Sequence, residues 1–294
     1  MYYIKVRNKI EKILPKYIFN ILINSWRMII RIKRKNQEKK LKNFIKDIYK
    51  KVKIKNISFQ LLISHKNGTV DNEIFINGIY EKEIFYIMYK NIKKDYICVD
   101  IGANIGMYTN FLPKLVGKNG KVIGFEPIQA IYNQNLSSIN KNKYENVYLY
   151  NKACSDVNGE TIININDLNM GGSSIERKNS SNITEKISTI IGDEILLKEE
   201  KINFIKIDTE GHEWKVIKGI EKTINKFSPK MIIEFSPYLF SDKNDGKKIL
   251  DFFLCRYNYV YIVEKGEKLN LKKENDIYKY YELENETQVN LFFY

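Results

Sequence analysis

From Ile79 onward, short apolar runs alternate with longer segments of helical periodicity. Short apolar runs are typical of strands that are buried on both faces, and the longer segments have the length of crossover helices. The alternation therefore predicts an α/β fold, in which a largely parallel sheet carries helices on both faces. The predicted strands are Ile97–Ile101, Val122–Phe125, Val147–Tyr150, Phe204–Ile207 and Met231–Phe235, and the predicted helices are Ile105–Leu115, Gln129–Asn140 and Glu213–Lys222.

Residues 156–201 interrupt this alternation. Thr161–Ile165 and Ile187–Ile191 alternate in polarity as strands do, and the polar stretch between them contains Gly171 and Gly172. We interpret this stretch as an inserted hairpin that carries a loop.

The positive charge is concentrated at the start of the chain. The formal net charge is +14, yet Met1–Lys55 alone holds 18 Lys or Arg and three acids, so the rest of the chain is nearly neutral. We expect a basic, amphipathic helical arm at residues 1–60 and one main domain at residues 61–294. The apolar stretch Tyr17–Ile32 of this arm fits a helix that lies on an anionic membrane surface, or one that packs on the main domain or on a second subunit.

Composition excludes several classes of protein. A hydrophobic content of 44% excludes a disordered chain, and three cysteines without a C-x-x-C pair indicate neither a disulfide framework nor a zinc site. Polar residues interrupt Tyr17–Ile32, so no membrane-spanning helix is predicted, and no signal-peptide cleavage site follows it. We therefore expect a cytoplasmic protein.

The segment from Cys98 to Thr109 indicates a ligand-binding turn. A buried strand runs into Asp100-Ile101-Gly102-Ala103-Asn104-Ile105-Gly106, where two glycines and an asparagine tolerate backbone conformations that bring the chain close to a ligand. The dinucleotide fingerprint requires glycine at positions that Asn104 and Met107 occupy, which disfavours a nicotinamide cofactor. Glu126, at the end of the next strand, is placed to accept hydrogen bonds from both hydroxyls of a ribose.

Five motifs, in this order, resemble the FkbM-type methyltransferase family. They are Asp100–Gly106, Phe125-Glu126-Pro127, Asn151–Asp156, Gly171–Ser174 and Ile205–Gly211. The resemblance implies a Rossmann-like class I methyltransferase sheet, S-adenosylmethionine as cofactor, and a hydroxyl group of a sugar or polyketide-type molecule as methyl acceptor. It covers residues 78–237 and leaves Met1–Lys55 outside.

The resemblance also implies roles for individual residues. Asp100, Gly102, Asn104 and Gly106 would line the methionine part of the cofactor, Glu126 with the adjacent Pro127 would hold the ribose, and Asp156 would lie near the adenine. For Asp156 the alternative is a turn residue before Asn158-Gly159.

A second group of polar residues follows the fourth and fifth predicted strands. Asp208, Glu210, His212 and Glu213 come after one, and Glu234 stands near the end of the other, so we expect these side chains to converge on the transferable methyl group. His212, Asp208 and Glu210 are the candidate bases for the acceptor hydroxyl. Alternatively, His212 caps the following helix, and the acids bind the cofactor, Lys206 or a divalent ion; we predict no metal.

Two other functions remain as alternatives. A nucleic-acid methyltransferase would explain the basic arm, but base-amine methylation uses an Asn or Asp followed by two prolines and an aromatic residue, where this chain has Asp208-Thr209-Glu210-Gly211. A non-catalytic binding module on the same fold is the second alternative. The expected partner is therefore a small-molecule or glycan hydroxyl acceptor, with peripheral membrane contact through the arm and without nucleic acid.

Overall fold

The computed structural model describes residues 35–37, 39–177, 183–271, 275–278 and 288–294. The chain divides into two compact units, Met1–Lys46 and Asp47–Tyr294. The stretch Tyr17–Ile32, predicted as the amphipathic part of the arm, lies outside the described residues. Within the described part, no helix has the length and apolar character needed to cross a membrane.

The larger unit is built from alternating strands and helices. Its strands are β1 (Ile48–Ile54), β2 (Ile57–Ile63), β3 (Ile97–Ile101), β4 (Lys121–Phe125), β5 (Val147–Tyr150), β6 (Ala153–Ser155), β7 (Gly159–Asn164), β8 (Thr184–Ile191), β9 (Phe204–Ile207), β10 (Lys230–Phe235), β11 (Tyr259–Ile262), β12 (Glu267–Asn270) and β13 (Val289–Phe293). Its helices are α1 (Thr69–Asn77), α2 (Lys82–Asn91), α3 (Met107–Val116), α4 (Gln129–Asn142), α5 (Asp193–Leu196), α6 (Glu213–Gly219), α7 (Glu221–Phe227) and α8 (Asp245–Leu254).

The central sheet has the strand order β5-β4-β3-β9-β10-β13-β11-β12. Strands β5, β4, β3, β9 and β10 are parallel, whereas β13 runs antiparallel to both β10 and β11. Strands β3 and β9 are buried along their whole length, as expected for strands covered on both faces. This order confirms the predicted α/β fold class, and the five strands predicted from the sequence form its parallel half.

The insertion forms a small separate sheet with the order β6-β8-β7. The antiparallel pair β7 and β8 is the predicted hairpin, and β6, which the sequence analysis missed, adds to it in parallel. Three residues are too few to give a recognisable alternation, so β6 depends on its neighbour rather than on its own pattern.

The prediction of a helical arm over residues 1–60 is wrong for residues 48–60. These residues lie in the hairpin of β1 and β2, which pair along their whole length, and the boundary predicted at residue 60 falls inside β2. The segment reads Ile-Tyr-Lys-Lys-Val-Lys-Ile, in which buried Val52 and Ile54 alternate with exposed Lys51 and Lys53. That two-residue period is a strand signal, which the high lysine content obscured.

The single helix predicted at Glu213–Lys222 is two helices, α6 and α7. Gly219 ends α6 where the backbone lies against β6, since a Cβ atom at this position would be 1.9 Å from the carbonyl oxygen of Ser155. The carboxylate of Asp193 then accepts hydrogen bonds from the backbone N–H groups of Lys222 and Thr223, at 3.0 and 2.8 Å. A cap supplied from a distant segment starts the second helix, and such a cap has no local sequence signal.

Aromatic side chains fix α8 against the antiparallel side of the sheet. The rings of Phe253 and Phe293 stack at 4.4 Å between centroids, and Tyr257 packs on both. Phe253 and Phe293 are completely buried. This cluster joins the last part of the chain to the parallel strands that carry the site.

We predict that Phe253→Ala lowers the free energy of unfolding by about 3 to 5 kcal/mol, because it leaves a cavity in a close-packed aromatic cluster. Leu168→Ala is the control, since that side chain is 79% exposed, and should change stability by less than about 0.5 kcal/mol. Urea denaturation followed by circular dichroism measures both, and equal effects of the two variants would contradict the packing described.

Candidate active site

A cleft opens at the carboxyl ends of β3, β4, β9 and β10. This is where ligands bind in open α/β sheets. Eight residues given an expected place in the site by the sequence line it: Gly102, Asn104, Glu126, Pro127, Asp208, Glu210, His212 and Glu234. The cleft therefore joins the two groups of polar residues that the sequence had separated by about 80 positions.

The loop after β3 is held close to the loop after β9. Gly102 has φ +79°, and a Cβ atom there would lie 1.8 Å from the carbonyl oxygen of Asp208. Asn104, with φ +50°, keeps the left-handed conformation and accepts a hydrogen bond from the backbone N–H of Ile105 at 2.7 Å through its side chain. The absence of a side chain at Gly102 is what allows the two loops to meet.

Glu126 is buried at the floor of the cleft. Its Oε2 accepts a hydrogen bond from the backbone N–H of Asn104 at 2.8 Å, and its Oε1 accepts one from Ile128 at 2.9 Å. Burial raises the pKa of Glu126 to about 7, although these two hydrogen bonds act in the opposite direction. The carboxylate is thus fixed in orientation and poorly solvated, and additional hydrogen-bond donors would stabilise its charged form.

The wall beside Glu126 is apolar. Phe125, Ile128 and Ile163 line the cleft here, and the side chain of Asn151 donates to the carbonyl oxygens of Glu126 and Pro127 at 3.0 and 2.9 Å. The cleft thus has an apolar surface in addition to the carboxylate of Glu126.

Three predicted cofactor residues do not line the cleft. Asp100 is buried behind the loop, where its Oδ2 accepts a hydrogen bond from Thr109 Oγ1 at 2.6 Å, and Gly106 is the N-cap of α3. Asp156 follows β6 instead of the third strand of the main sheet, and it forms an ion pair with Lys218. Asp156 therefore does not stand at a strand end of the main sheet.

The opposite end of the cleft is acidic, and one of its acids forms an ion pair with a buried lysine. Lys206, only 1% exposed, donates to Asp208 Oδ2 at 2.8 Å. Burial alone would lower the pKa of Lys206, but the charges of Asp208, Glu81 and Asp100 raise it above its usual value. The lysine is consequently a fixed cation and cannot serve as a base.

Glu210 and Glu234 complete this acidic end. Glu210, in a left-handed backbone conformation with φ +53°, lies 3.6 Å from Arg177, and burial together with Asp208 and Glu213 raises its pKa to about 8. Burial also raises the pKa of Glu234 well above its usual value, with Asp208 adding to the effect. The side chain of Glu213 holds the loop after β9, because its Oε1 accepts a hydrogen bond from the backbone N–H of Thr209 at 2.8 Å.

His212 has a hydrogen-bond partner at each ring nitrogen. Nδ1 lies 2.7 Å from Glu176 Oε1, and Nε2 lies 3.0 Å from Ser155 Oγ. Although burial acts to raise it, hydrogen bonds from His212, Lys215 and Ser241 lower the pKa of Glu176 to about 2, so this carboxylate accepts from Nδ1–H. In a neutral ring, Nε2 is then an acceptor for the Ser155 hydroxyl. His212 is also the N-cap of α6 by position, but its side chain makes no capping hydrogen bond.

The inserted loop covers the cleft between its two ends. Gly171 lies so close to Asn104 that a Cβ atom would be 2.6 Å from the side-chain nitrogen, and Ser174 Oγ donates to the carbonyl oxygen of Glu210 at 2.7 Å. The motif Gly171–Ser174 thus contacts both the loop after β3, at Asn104, and the loop after β9, at Glu210. Gly171 and Ser173 of this motif line the cleft.

Sequence reasoning missed several side chains that complete the site. Tyr80 and Gln288 line the cleft, Glu176 holds His212, and Glu81 accepts a hydrogen bond from Tyr108 at 2.7 Å. None of these belongs to one of the recognised motifs or directly follows a strand predicted from the sequence, and Gln288 directly precedes β13, which was not predicted. They could have been found only from their spatial neighbours.

The family profile described as "Methyltransferase FkbM domain" matches residues 100–261, which is more than half of the chain. The chain belongs to the FkbM methyltransferase family. The family resemblance predicted from the five motifs is therefore confirmed, and the cleft lies within the matched region except for Val70, Tyr80 and Gln288.

Solved structures resemble this FkbM-family chain at low sequence identity. Methyltransferase FkbM from Methylobacillus flagellatus KT is 17% identical over 76% of this chain and 52% of that one, with a TM-score of 0.43, so this chain spans about half of its length. The T. thermophilus 16S rRNA N2 G1207 methyltransferase, solved with AdoMet and guanosine, is 12% identical over 84% of this chain and 50% of that one, with a TM-score of 0.44. No curated protein matches the chain.

We predict that Gly102→Ala destabilises the protein more than Gly78→Ala does. Both glycines have φ near +80°, so both substitutions carry the strain of a left-handed alanine, about 1 kcal/mol. Only at Gly102 does the added Cβ meet backbone, whereas at Gly78 it has open space. The expected difference is about 1 to 3 kcal/mol in urea denaturation, and equal destabilisation would show that the two loops do not touch as described.

Proposed function

We propose that this FkbM-family methyltransferase uses S-adenosylmethionine to methylate a hydroxyl group of a sugar, glycan or related small molecule. The observation that carries the proposal is the continuous cleft, which has the buried carboxylate of Glu126 at one end and the acids Asp208 and Glu210 at the other. The first end suits a nucleoside, and the second suits a group that must lose a proton.

The Glu126 end fits the nucleoside part of this cofactor. Each carboxylate oxygen accepts one backbone hydrogen bond, which leaves lone pairs for the two ribose hydroxyls. The apolar wall of Phe125, Ile128 and Ile163 offers a surface for the adenine. Gly102 and Asn104 would then lie along the methionine part, while Asp100 and Gly106 act indirectly by shaping the loop.

The cofactor supplies a methyl group on a sulfonium, so that a bond forms from the acceptor oxygen to the methyl carbon while the carbon–sulfur bond breaks and its electron pair stays on sulfur. The chain has to orient the acceptor hydroxyl and remove its proton. Asp208 and Glu210 line the cleft and are partly exposed, and each can accept that proton in its ionised form, which the raised pKa of Glu210 makes available at that residue above about pH 8. We favour them over His212, because both ring nitrogens of His212 are engaged by Glu176 and Ser155.

Nucleic-acid methylation is the less favoured candidate. Nucleic-acid sites are rich in lysine and arginine, whereas the residues that line this cleft include one lysine, Lys152, and three acids at the acceptor end, Asp208, Glu210 and Glu234. A sugar hydroxyl needs no such basic residues, and carboxylates commonly hydrogen-bond to it. Cytoplasmic location, a role in glycan biosynthesis and membrane contact through the arm stay predictions from the sequence.

We predict that Glu126→Ala weakens S-adenosylmethionine binding by about 1.5 to 3 kcal/mol, the range for hydrogen bonds to a charged group. Glu185→Ala is the control, because this acid lies near Glu126 but does not line the cleft. Isothermal titration calorimetry with each purified variant measures the change. Unchanged affinity in Glu126→Ala would remove this residue from the cofactor site.

We predict that Glu210→Gln lowers methyl-transfer turnover by about 100-fold or more while S-adenosylmethionine affinity changes little. Asp208→Asn should lower turnover as much and also lower thermal stability, because it removes the carboxylate charge beside buried Lys206. His212→Ala should keep turnover and lower thermal stability, since it removes one buried hydrogen-bond partner of Glu176 and of Ser155 and leaves a cavity between them. Single-turnover kinetics, calorimetry and thermal melts on the three variants separate these effects. A His212→Ala variant of normal stability and cofactor affinity that has lost turnover would make His212 the base and refute our assignment.

A further inference from the structure

Three carboxylates converge at the acidic end of the cleft from two neighbouring strands. Asp208 and Glu210 follow β9. Glu234 lies in β10, one residue after the pairing between β9 and β10 ends at Ile207 and Ile233. One carboxylate oxygen of each lies within 4.8 Å of those of the other two. All three residues line the cleft, so a ligand in the cleft can reach them.

Glu234 provides a second observation that points to a ligand. Its side chain is only 4% exposed, and Oε1 accepts a hydrogen bond from the side chain of Gln288. Its Oε2 is buried and has no hydrogen-bond partner in the part of the chain that the structure describes. A buried carboxylate oxygen without a donor is costly, which indicates that a cationic or donor group belongs beside it.

Asp208 and Glu210 each have a positively charged side chain of the protein beside them. Lys206 donates to Asp208 Oδ2 at 2.8 Å, and Arg177 lies 3.6 Å from Glu210 Oε2. Both Asp208 and Glu210 keep part of their surface open to the cleft, with side-chain exposures of 25% and 24%. The cluster therefore combines one enclosed carboxylate with two that solvent and an acceptor molecule can approach.

We propose that Asp208, Glu210 and Glu234 bind one hard divalent cation of the Mg²⁺, Mn²⁺ or Ca²⁺ class. Carboxylate oxygens are the ligands that these ions prefer. Oxygens on opposite sides of such an ion are separated by about 4 to 5 Å, given metal–oxygen distances of about 2.1 to 2.5 Å, so the 4.8 Å limit accommodates it. This proposal replaces the sequence prediction of no metal.

The role of the ion rests on the proposed methylation of a hydroxyl. With the ion between the acids and the cleft, the acceptor hydroxyl would lie against it and have a lowered pKa. The proton passes to a carboxylate oxygen of the cluster that the ion does not engage, and the oxygen lone pair forms the bond to the methyl carbon. The ion is neither oxidised nor consumed.

The test is titration of Mn²⁺ into the full-length protein after removal of metals with EDTA, followed by calorimetry and by loss of the free Mn²⁺ electron paramagnetic resonance signal. We expect one ion per chain, with affinity weakened tenfold or more in Glu234→Gln and in Glu210→Gln. The matched control is Glu160→Gln, an exposed acid in β7, which should bind as the unmodified protein does. Two ligand variants are used because a change at buried Glu234 can affect folding.

Titration of S-adenosylmethionine into the same samples separates this proposal from the proposed function. Cofactor binding without stoichiometric Mn²⁺ binding would overturn the cation site and leave the proposed methyl transfer standing. Equal Mn²⁺ affinity in the unmodified protein, Glu234→Gln and Glu210→Gln would likewise overturn it, because the ion would be bound elsewhere. Mn²⁺ binding that depends on both glutamates supports the site even if S-adenosylmethionine does not bind, an outcome that would refute only the proposed function.

Discussion

The ion pair between Lys206 and Asp208 is the interaction on which the candidate site depends. An ammonium group that is 1% exposed is tolerated only if charged partners surround it, and Lys206 has Asp208 as its hydrogen-bond partner and Asp100 beside it in the neighbouring strand. Because side chains alternate along a strand, Lys206 and Asp208 face the same side of β9. The backbone carbonyl of Asp208 lies against Gly102, so the same residue joins the buried lysine to the loop after β3.

The two ends of the cleft differ in electrostatic character. At the acidic end, Asp208 pairs with Lys206 and Glu210 lies near Arg177. Burial raises the pKa of Glu210 and Glu234 there. At the other end, a single buried carboxylate, Glu126, is held by backbone N–H groups beside an apolar wall. A cofactor with a nucleoside and a cationic centre is complementary to this arrangement, because its ribose and its positive charge would each meet carboxylates.

Much of the fold could be predicted from the sequence, because the central strands are short and mostly apolar, with single charged residues such as Asp100 and Lys206 inside them. Strands β3, β5 and β9 were predicted to the residue for this reason. The predicted roles of Gly102 and Glu126 follow from strand ends and turn geometry, which are local properties, and both residues line the cleft.

What could not be predicted depends on contacts between distant segments. His212 meets Glu176, 36 residues away in the insertion, and Glu234 meets Gln288, 54 residues further along the chain. The split between α6 and α7 depends on Asp193, and the position of Asp156 depends on pairing of β6 with β8. Periodicity and motif spacing carry no information about such pairings, so a residue can be recognised as polar and near the site while its partner stays unknown.

The central claim is that the cleft binds S-adenosylmethionine, and native mass spectrometry of the purified full-length protein tests it most directly. The account predicts a complex with one molecule of S-adenosylmethionine or its demethylated product per chain, either retained through purification or formed when the cofactor is added. Absence of that complex at saturating cofactor, or retention of a nicotinamide dinucleotide in its place, would contradict the account.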